Sequence, residues 1–289
     1  MVEGSPEGLT IGLVLLAALL HASWNALVKA SGDPLINVAI VTATGGIVAI
    51  PAVVLFPFPG PETWPWLALS AVIHYAYQLS LVRMYQLGDL SQVYPIARGL
   101  APLGVGLLAA IGAGESLAPL QILGLGLASA SIMALSGLGS RGPSSRSAVG
   151  MALVTAGLIG LYTFSDGRGV RSVENPLFFI GWSFVLGSVP MVLTTILVRR
   201  RDGWSVVREG GLQAVGGGIM ATVGYGIVLW AMSRTTMASV ASLRESSVLF
   251  AALLGTRLLG EPFGRRRTIA SFVLVAGLIL IQLTKSARH

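Results

Sequence analysis

Tyr85 to Pro119 reads YQLGDLSQVYPIARGLAPLGVGLLAAIGAGESLAP, and Ala231 to Arg265 reads AMSRTTMASVASLRESSVLFAALLGTRLLGEPFGR. In both, a short polar run opens a long apolar stretch, and an arginine (Arg98, Arg244) follows one to two turns in. A Gly-Glu pair (Gly114-Glu115, Gly260-Glu261) closes each stretch at equal spacing. The front ends echo one another as well, because Asp33-Pro34-Leu35 and Asn175-Pro176-Leu177 each open the second apolar stretch of their half. The chain is a duplicated unit, with the first repeat over 1–140 and the second over 141–289.

Composition names the solvent. Hydrophobic residues make up 54% of the 289 and charged residues only 11%, where a soluble protein would carry about a quarter charged. A mean hydropathy of +0.79 agrees. The expected fold is therefore an all-α polytopic membrane protein. Ten stretches are long enough to cross about 30 Å of hydrocarbon at 1.5 Å per residue. They fall near 9–29, 35–56, 66–86, 91–113, 119–139, 148–166, 176–198, 211–233, 237–258 and 268–285. Connections are short and rich in turn formers, such as Gly32-Asp33-Pro34, Pro57-Phe58-Pro59-Gly60-Pro61 and Gly88-Asp89, and the Gly139–Ser145 linker joins the halves. Five spans per half is an odd number, so the second half enters the bilayer in the opposite direction and the repeat is inverted. The first apolar stretch lacks a basic leader and a small-residue cleavage site, and it reads as a retained helix.

Other classes find little support. The pI of about 10.4 comes from arginines in short connections, which is a membrane-topology signal and no nucleic-acid footprint. Absence of cysteine excludes disulfides, thiolate metal sites and Cys nucleophiles. An intramembrane enzyme would need a reactive constellation, yet the sequence holds no HExxH, no paired aspartates within spans and no recurring Ser-His arrangement. No nucleotide loop is present, so no cofactor or ATP drive is expected; energy would come from a solute or proton gradient. A non-transporting scaffold has no need of buried arginines. Secondary transport accounts for the repeat, the short loops and the central charges together.

Polar side chains at bilayer depth cost several kcal/mol unless they face a wet cavity or a partner. In span one, His21, Asn25 and Lys29 stand at i, i+4, i+8 with Trp24 beside them. They form a candidate cavity wall, with Trp24 and Asn25 holding solute and His21 a proton carrier, since imidazole changes charge near neutral pH. Interhelical hydrogen bonding, with Lys29 reaching to the headgroups, explains the same stripe. Span three carries His74, Tyr75, Tyr77 and Gln78, in which His74, Tyr77 and Gln78 share a face; Tyr85 is an interfacial anchor. Span four holds Pro95, Arg98 and Pro102, and its prolines are expected to kink it. Span nine repeats the cation as Arg244 and adds Glu245, which reads as the only carboxylate deep in any span. Two arginines against one acid favour an anionic or zwitterionic solute, which a guanidinium grips through two parallel bonds. A structural Arg-Glu lock is the other reading. Arg98 is the first candidate to hold the anionic group, because its own helix has no acid to neutralise it. Glu115 and Glu261, at equivalent turns, read as N-caps of helices five and ten. Glycine and alanine runs such as Gly124, Gly126, Ala128, Ala130 and Gly216-Gly217-Gly218 read as close-packing surfaces.

The HASWNALVKAS opening at His21–Ser31, the GDLSQVYPIARGLAPL stretch at Gly88–Leu103, the GESL and GEPF turns and the two five-span halves resemble the EamA-type permeases of the drug/metabolite transporter superfamily. The resemblance covers essentially the whole chain. It implies ten helices in two inverted halves, a central cavity, cytoplasmic termini, and export of amino acids or other small metabolites across the cell membrane (plasma or inner). Charge bias points the other way on sidedness: five Lys and Arg (Arg168, Arg171, Arg234, Lys285, Arg288) mark the side of the termini and twelve the other, which places the termini outside the cytoplasm. The chain departs from the small multidrug exporters of the superfamily, whose first helix carries an embedded glutamate; here that helix holds no acid. A multidrug or cation efflux permease is thus the alternative to a metabolite exporter.

Overall fold

The structure, a computed structural model, describes residues 6–28, 33–56, 58–87, 90–136, 146–199, 203–250 and 265–286. Among them there are ten helices and no strand: α1 (Pro6–Val28), α2 (Pro34–Leu55), α3 (Trp64–Leu87), α4 (Leu90–Gly112), α5 (Pro119–Ser136), α6 (Arg146–Val170), α7 (Pro176–Arg199), α8 (Gly203–Met232), α9 (Met237–Arg244) and α10 (Arg265–Ser286). Five of these contain segments long and apolar enough to cross a membrane: Glu7–Asn25, Pro34–Leu55, Arg146–Val170, Pro176–Arg199 and Gly211–Met232. α3 is as long but more polar, because His74, three tyrosines, two glutamines and Arg83 interrupt it.

The repeated starts seen in the sequence are repeated caps. Asp33 Oδ1 accepts from the Leu35 N–H at 2.9 Å, and Asn175 Oδ1 accepts from the Leu177 N–H at 3.0 Å. In each case a proline takes the first helical position, where its missing donor costs nothing. Duplication thus preserved the local chemistry that starts α2 and α7.

The helices gather into two compact units, and neither unit is a sequence half. The first comprises Met1–Val82 with Ser165–Arg234, the second Arg83–Phe164 with Thr235–His289. Within the first, α2 packs on α7, and α8 packs on α1, α2 and α7. Leu35, Ala39, Val82 and Met191 form one buried cluster there, and Tyr75 OH meets Thr194 Oγ1 at 2.7 Å. Within the second, α5 packs on α10, and α4 packs on α5 and α9. Helices in equivalent positions of the two repeats therefore pair with one another: α2 with α7, α4 with α9, α5 with α10.

Small residues set these distances, as they must where lipid removes the hydrophobic drive between helices. A Cβ on Gly124 would stand 2.6 Å from the Gly277 carbonyl oxygen, and one on Gly277 would stand 2.7 Å from that of Gly124. The α5–α10 contact is backbone against backbone, and the Ser131 hydroxyl donates to the Ala270 carbonyl beside it. Gly218 plays the same part against Thr44 of α2. Gly126 and Gly216, by contrast, have open space where a Cβ would go, so the expected packing surface is narrower than the glycine runs suggest.

α4 is a single helix through Pro95 and Pro102, and the ninth span is interrupted. α9 ends at Arg244, Glu245 and Ser246 form a turn, and helix resumes at Ser247. The turn is tight: the Glu245 N–H donates to Ser242 O at 2.9 Å and the Ser246 N–H to Leu243 O at 3.1 Å, three residues back instead of four. The rest of that span, 251–258, lies outside the described residues.

Candidate functional site

In the second unit, three charged side chains converge where α9 breaks. Arg98 on α4, Arg244 at the last position of α9 and Glu245 in the turn are all buried, at 3%, 3% and 0% exposure. Arg98 Nη2 lies 2.9 Å from Glu245 Oε1, and Arg244 Nε lies 3.8 Å from the same oxygen. The close ion pair thus joins the two repeats through Arg98. It is not the sequence-adjacent Arg244–Glu245 pair. Arg98, whose own helix has no acid, is met by Glu245 from the turn that follows α9. Arg244 Nε and Nη2 make no hydrogen bond among the described residues. Serines surround the break: Ser239, Ser242, Ser246 and Ser247 are buried, and the Ser242 hydroxyl donates to Ala238 O at 2.6 Å.

Glu115 holds the other end of α9. Both of its carboxylate oxygens accept from the Met237 N–H at 3.0 Å, while Thr236, in the N-cap position, makes no capping bond of its own. A carboxylate at a helix N-terminus satisfies an orphan donor and complements the helix dipole. Glu115 therefore caps α9, which corrects its expected role at α5. There, Gln121 Oε1 accepts from the Ala118 N–H at 2.9 Å. Gly114, at φ 65°, makes the turn that brings Glu115 round, in a conformation that favours glycine. Glu261, its repeat equivalent, lies outside the described residues.

The first unit contains a polar centre that sequence reasoning missed. Asp166 is fully buried, and its Oδ2 accepts from Tyr225 OH at 2.6 Å and contacts His74 Nε2 at 2.8 Å. The rings of His74 and Tyr225 stand edge to face, 5.7 Å apart. Glu245 is therefore not the only buried carboxylate. The expected end of the sixth span at 166 concealed the second, because α6 continues to Val170 and places Asp166 a turn inside it. The mid-helix position of His74 on α3 was the signal that could have prompted a search for an acid.

The remaining predicted residues form local groups in this unit. On α1, Trp24 Nε1 donates to His21 Nδ1 at 3.2 Å and Asn25 Nδ2 donates to His21 O at 2.8 Å. All three are half-buried. Lys29, the end of that stripe, lies outside the described residues. On α3, Tyr77 is half-buried and Gln78 is buried, with Gln78 Oε1 making no hydrogen bond among the described residues. His74 is thus brought to Asp166 and Tyr225, while Arg98, Arg244 and Glu245 are brought to one another.

The profile of the EamA-like transporter family matches residues 8–137 and again 146–283. A crystal structure whose title reads only "Crystal structure of protein" superposes with a TM-score of 0.74, covering 95% of this chain and 96% of that one at 20% identity. At that identity the likeness is one of fold. No curated protein gives a significant match.

Proposed function

Because the chain belongs to the EamA-like transporter family, an integral-membrane transporter family, we propose that it is a secondary transporter exporting a small anionic or zwitterionic metabolite, amino-acid-like, by alternating access. The two sequence repeats, 1–140 and 141–289, are inverted in this reading, and the cell membrane is the site of action. The observation that carries it is the buried cluster of Arg98, Arg244 and Glu245. Two guanidiniums against one carboxylate leave an excess of positive charge that a solute carboxylate would satisfy.

Arg98 is engaged by Glu245 at 2.9 Å, whereas Arg244 stands at the longer distance of 3.8 Å from the same oxygen. Arg244 is accordingly the binding residue, and Arg98 orients Glu245. The break after Arg244 supports this assignment, since transporter sites are built where spanning helices are discontinuous. The other residues expected to line a cavity, His21, Trp24, Asn25, His74, Tyr77 and Gln78, belong to the first unit.

A cation efflux permease would need unpaired acid facing its cargo, and the charge balance in the second unit runs against it. The test is counterflow in proteoliposomes of a ¹⁴C-labelled L-amino-acid mixture, and separately of tetraphenylphosphonium, each with and without a pH gradient. Amino-acid counterflow supports the reading, and transport of the permanent cation alone refutes it.

A further inference from the structure

Asp166 has one carboxylate oxygen with no hydrogen-bond partner among the described residues. Oδ2 is held by Tyr225 and His74, but Oδ1 is buried and makes no hydrogen bond among the described residues. Buried polar atoms are nearly always partnered, and an unpartnered carboxylate oxygen in an apolar bundle is costly. A carboxyl group so placed is a candidate to accept a proton through Oδ2, the oxygen that His74 Nε2 contacts.

Polar side chains continue along α3 on either side of His74. Ser70, His74 and Gln78 stand at i, i+4, i+8 on α3, one polar stripe along the helix. Ser70 and Gln78 are buried, and Ser70 Oγ and Gln78 Oε1 make no hydrogen bonds among the described residues. Hydroxyl and amide groups so placed can order a file of water. The His74 side chain is 20% exposed, whereas that of Asp166 is fully buried. The exposed apolar face of α3 is marked by Leu69, Val72 and Leu79. His74 lies about 170° around the helix from the centre of that face, so its exposure opens away from the lipid.

We propose that Asp166 and His74 form the binding site for the coupling proton of this transporter, with Tyr225 as the residue that positions the carboxylate. The imidazole takes a proton from hydronium at Nδ1, leaving water, and gives the proton on Nε2 to Asp166 Oδ2. Histidine ends neutral and the carboxylate becomes a carboxylic acid, so charge and protons balance; release reverses both steps. Facing this carboxylate, α3 contributes His74 and α8 contributes Tyr225, and α7 reaches Tyr225 with the uncharged Phe184, 6.2 Å between rings. On α6 itself, Arg168 lies over the Trp66 ring at 5.6 Å, and just past its end Arg171 Nε donates to Met232 O at 2.8 Å. No arginine is therefore paired with Asp166 by any described contact. On α1, His21 is engaged with Trp24, which moves the proton-carrying role foreseen for it to His74.

This inference rests on the transporter reading for its coupling role, and two measurements keep them separable. The first is infrared difference spectroscopy of purified full-length protein as pH is lowered, which detects the C=O stretch of a buried carboxylic acid. A band is expected in wild type, lost in Asp166→Asn, and moved in frequency in Tyr225→Phe, which removes the Oδ2 hydrogen bond without the acid. Absence of the band in wild type, its survival in Asp166→Asn, or indifference to Tyr225→Phe overturns the proposal. The second compares pH-gradient-driven accumulation with equal-concentration exchange of the ¹⁴C-labelled amino-acid mixture. Asp166→Asn should lose accumulation and keep exchange; loss or retention of both overturns the coupling role. No exchange by wild type refutes the solute class alone, and the infrared arm then still decides whether the proton site exists.

Discussion

Glu245→Gln removes the only described countercharge of two buried arginines while keeping the side chain's size. Glu245 is fully buried, with Arg98 at 2.9 Å and Arg244 at 3.8 Å. Breaking a buried ion pair from one side costs about 3–5 kcal/mol, because the remaining charge is left without a partner. Converted at 2–4 °C per kcal/mol, that is a fall in melting temperature of roughly 10 °C. Arg98→Gln should cost less, since Glu245 keeps Arg244 as a second countercharge. Adding Arg98→Gln to Glu245→Gln should recover part of the loss, because one stranded cation is better than two. Purified protein in detergent, melted at a fixed scan rate with tryptophan fluorescence as readout, gives the three values and their coupling. A Glu245→Gln protein as stable as wild type, or a double variant that simply adds two losses, would refute the claim that this carboxylate is what makes the arginines tolerable.

Other consequences are independent of that cluster. Glu115→Ala should destabilise the protein by about 1 kcal/mol or somewhat more through loss of the α9 cap, with Glu115→Gln losing less; thermal melts decide it. Gly277→Val should fail to assemble or melt far lower, because its side chain would meet the Gly124 carbonyl and Ala128 backbone, whereas Gly126→Ala should be neutral. Tyr225→Phe should lower stability by about 1.5–3 kcal/mol, as removal of a hydrogen bond to a charged group does. Arg244→Ala should weaken amino-acid binding roughly ten- to a hundred-fold, the equivalent of about 1.5–3 kcal/mol, and Arg244→Lys should restore part of it.

Helical class and duplication were legible because they are written over long windows: hydropathy gave the spans, and matched Arg and Gly-Glu positions gave the repeat. The Asp33 and Asn175 starts were legible because capping is local. Pairing was legible only as a choice: Glu245 is the acid available to both arginines, and that Arg98 takes it at 2.9 Å depends on α4 lying against α9, which no local pattern encodes. Glu115 illustrates the same limit, since a Gly-Glu turn before a helix predicts a local cap, yet Gly114 turns the carboxylate onto α9. The break in the ninth span was missed for a different reason: proline and glycine are the local signals of a weakened helix, and the Arg244–Glu245–Ser246 break carries neither. Asp166 was hidden by a span boundary a few residues too early.

The central claim is that positive charge at Arg244 selects the solute. The most direct measurement is the ratio of initial rates of ¹⁴C-labelled amino-acid counterflow to tetraphenylphosphonium counterflow, at subsaturating concentration and equal protein per vesicle, in wild type and Arg244→Ala. The predicted result is a wild-type ratio well above one that falls roughly ten-fold or more in the variant. A ratio below one in wild type, or one left unchanged by Arg244→Ala, would contradict it.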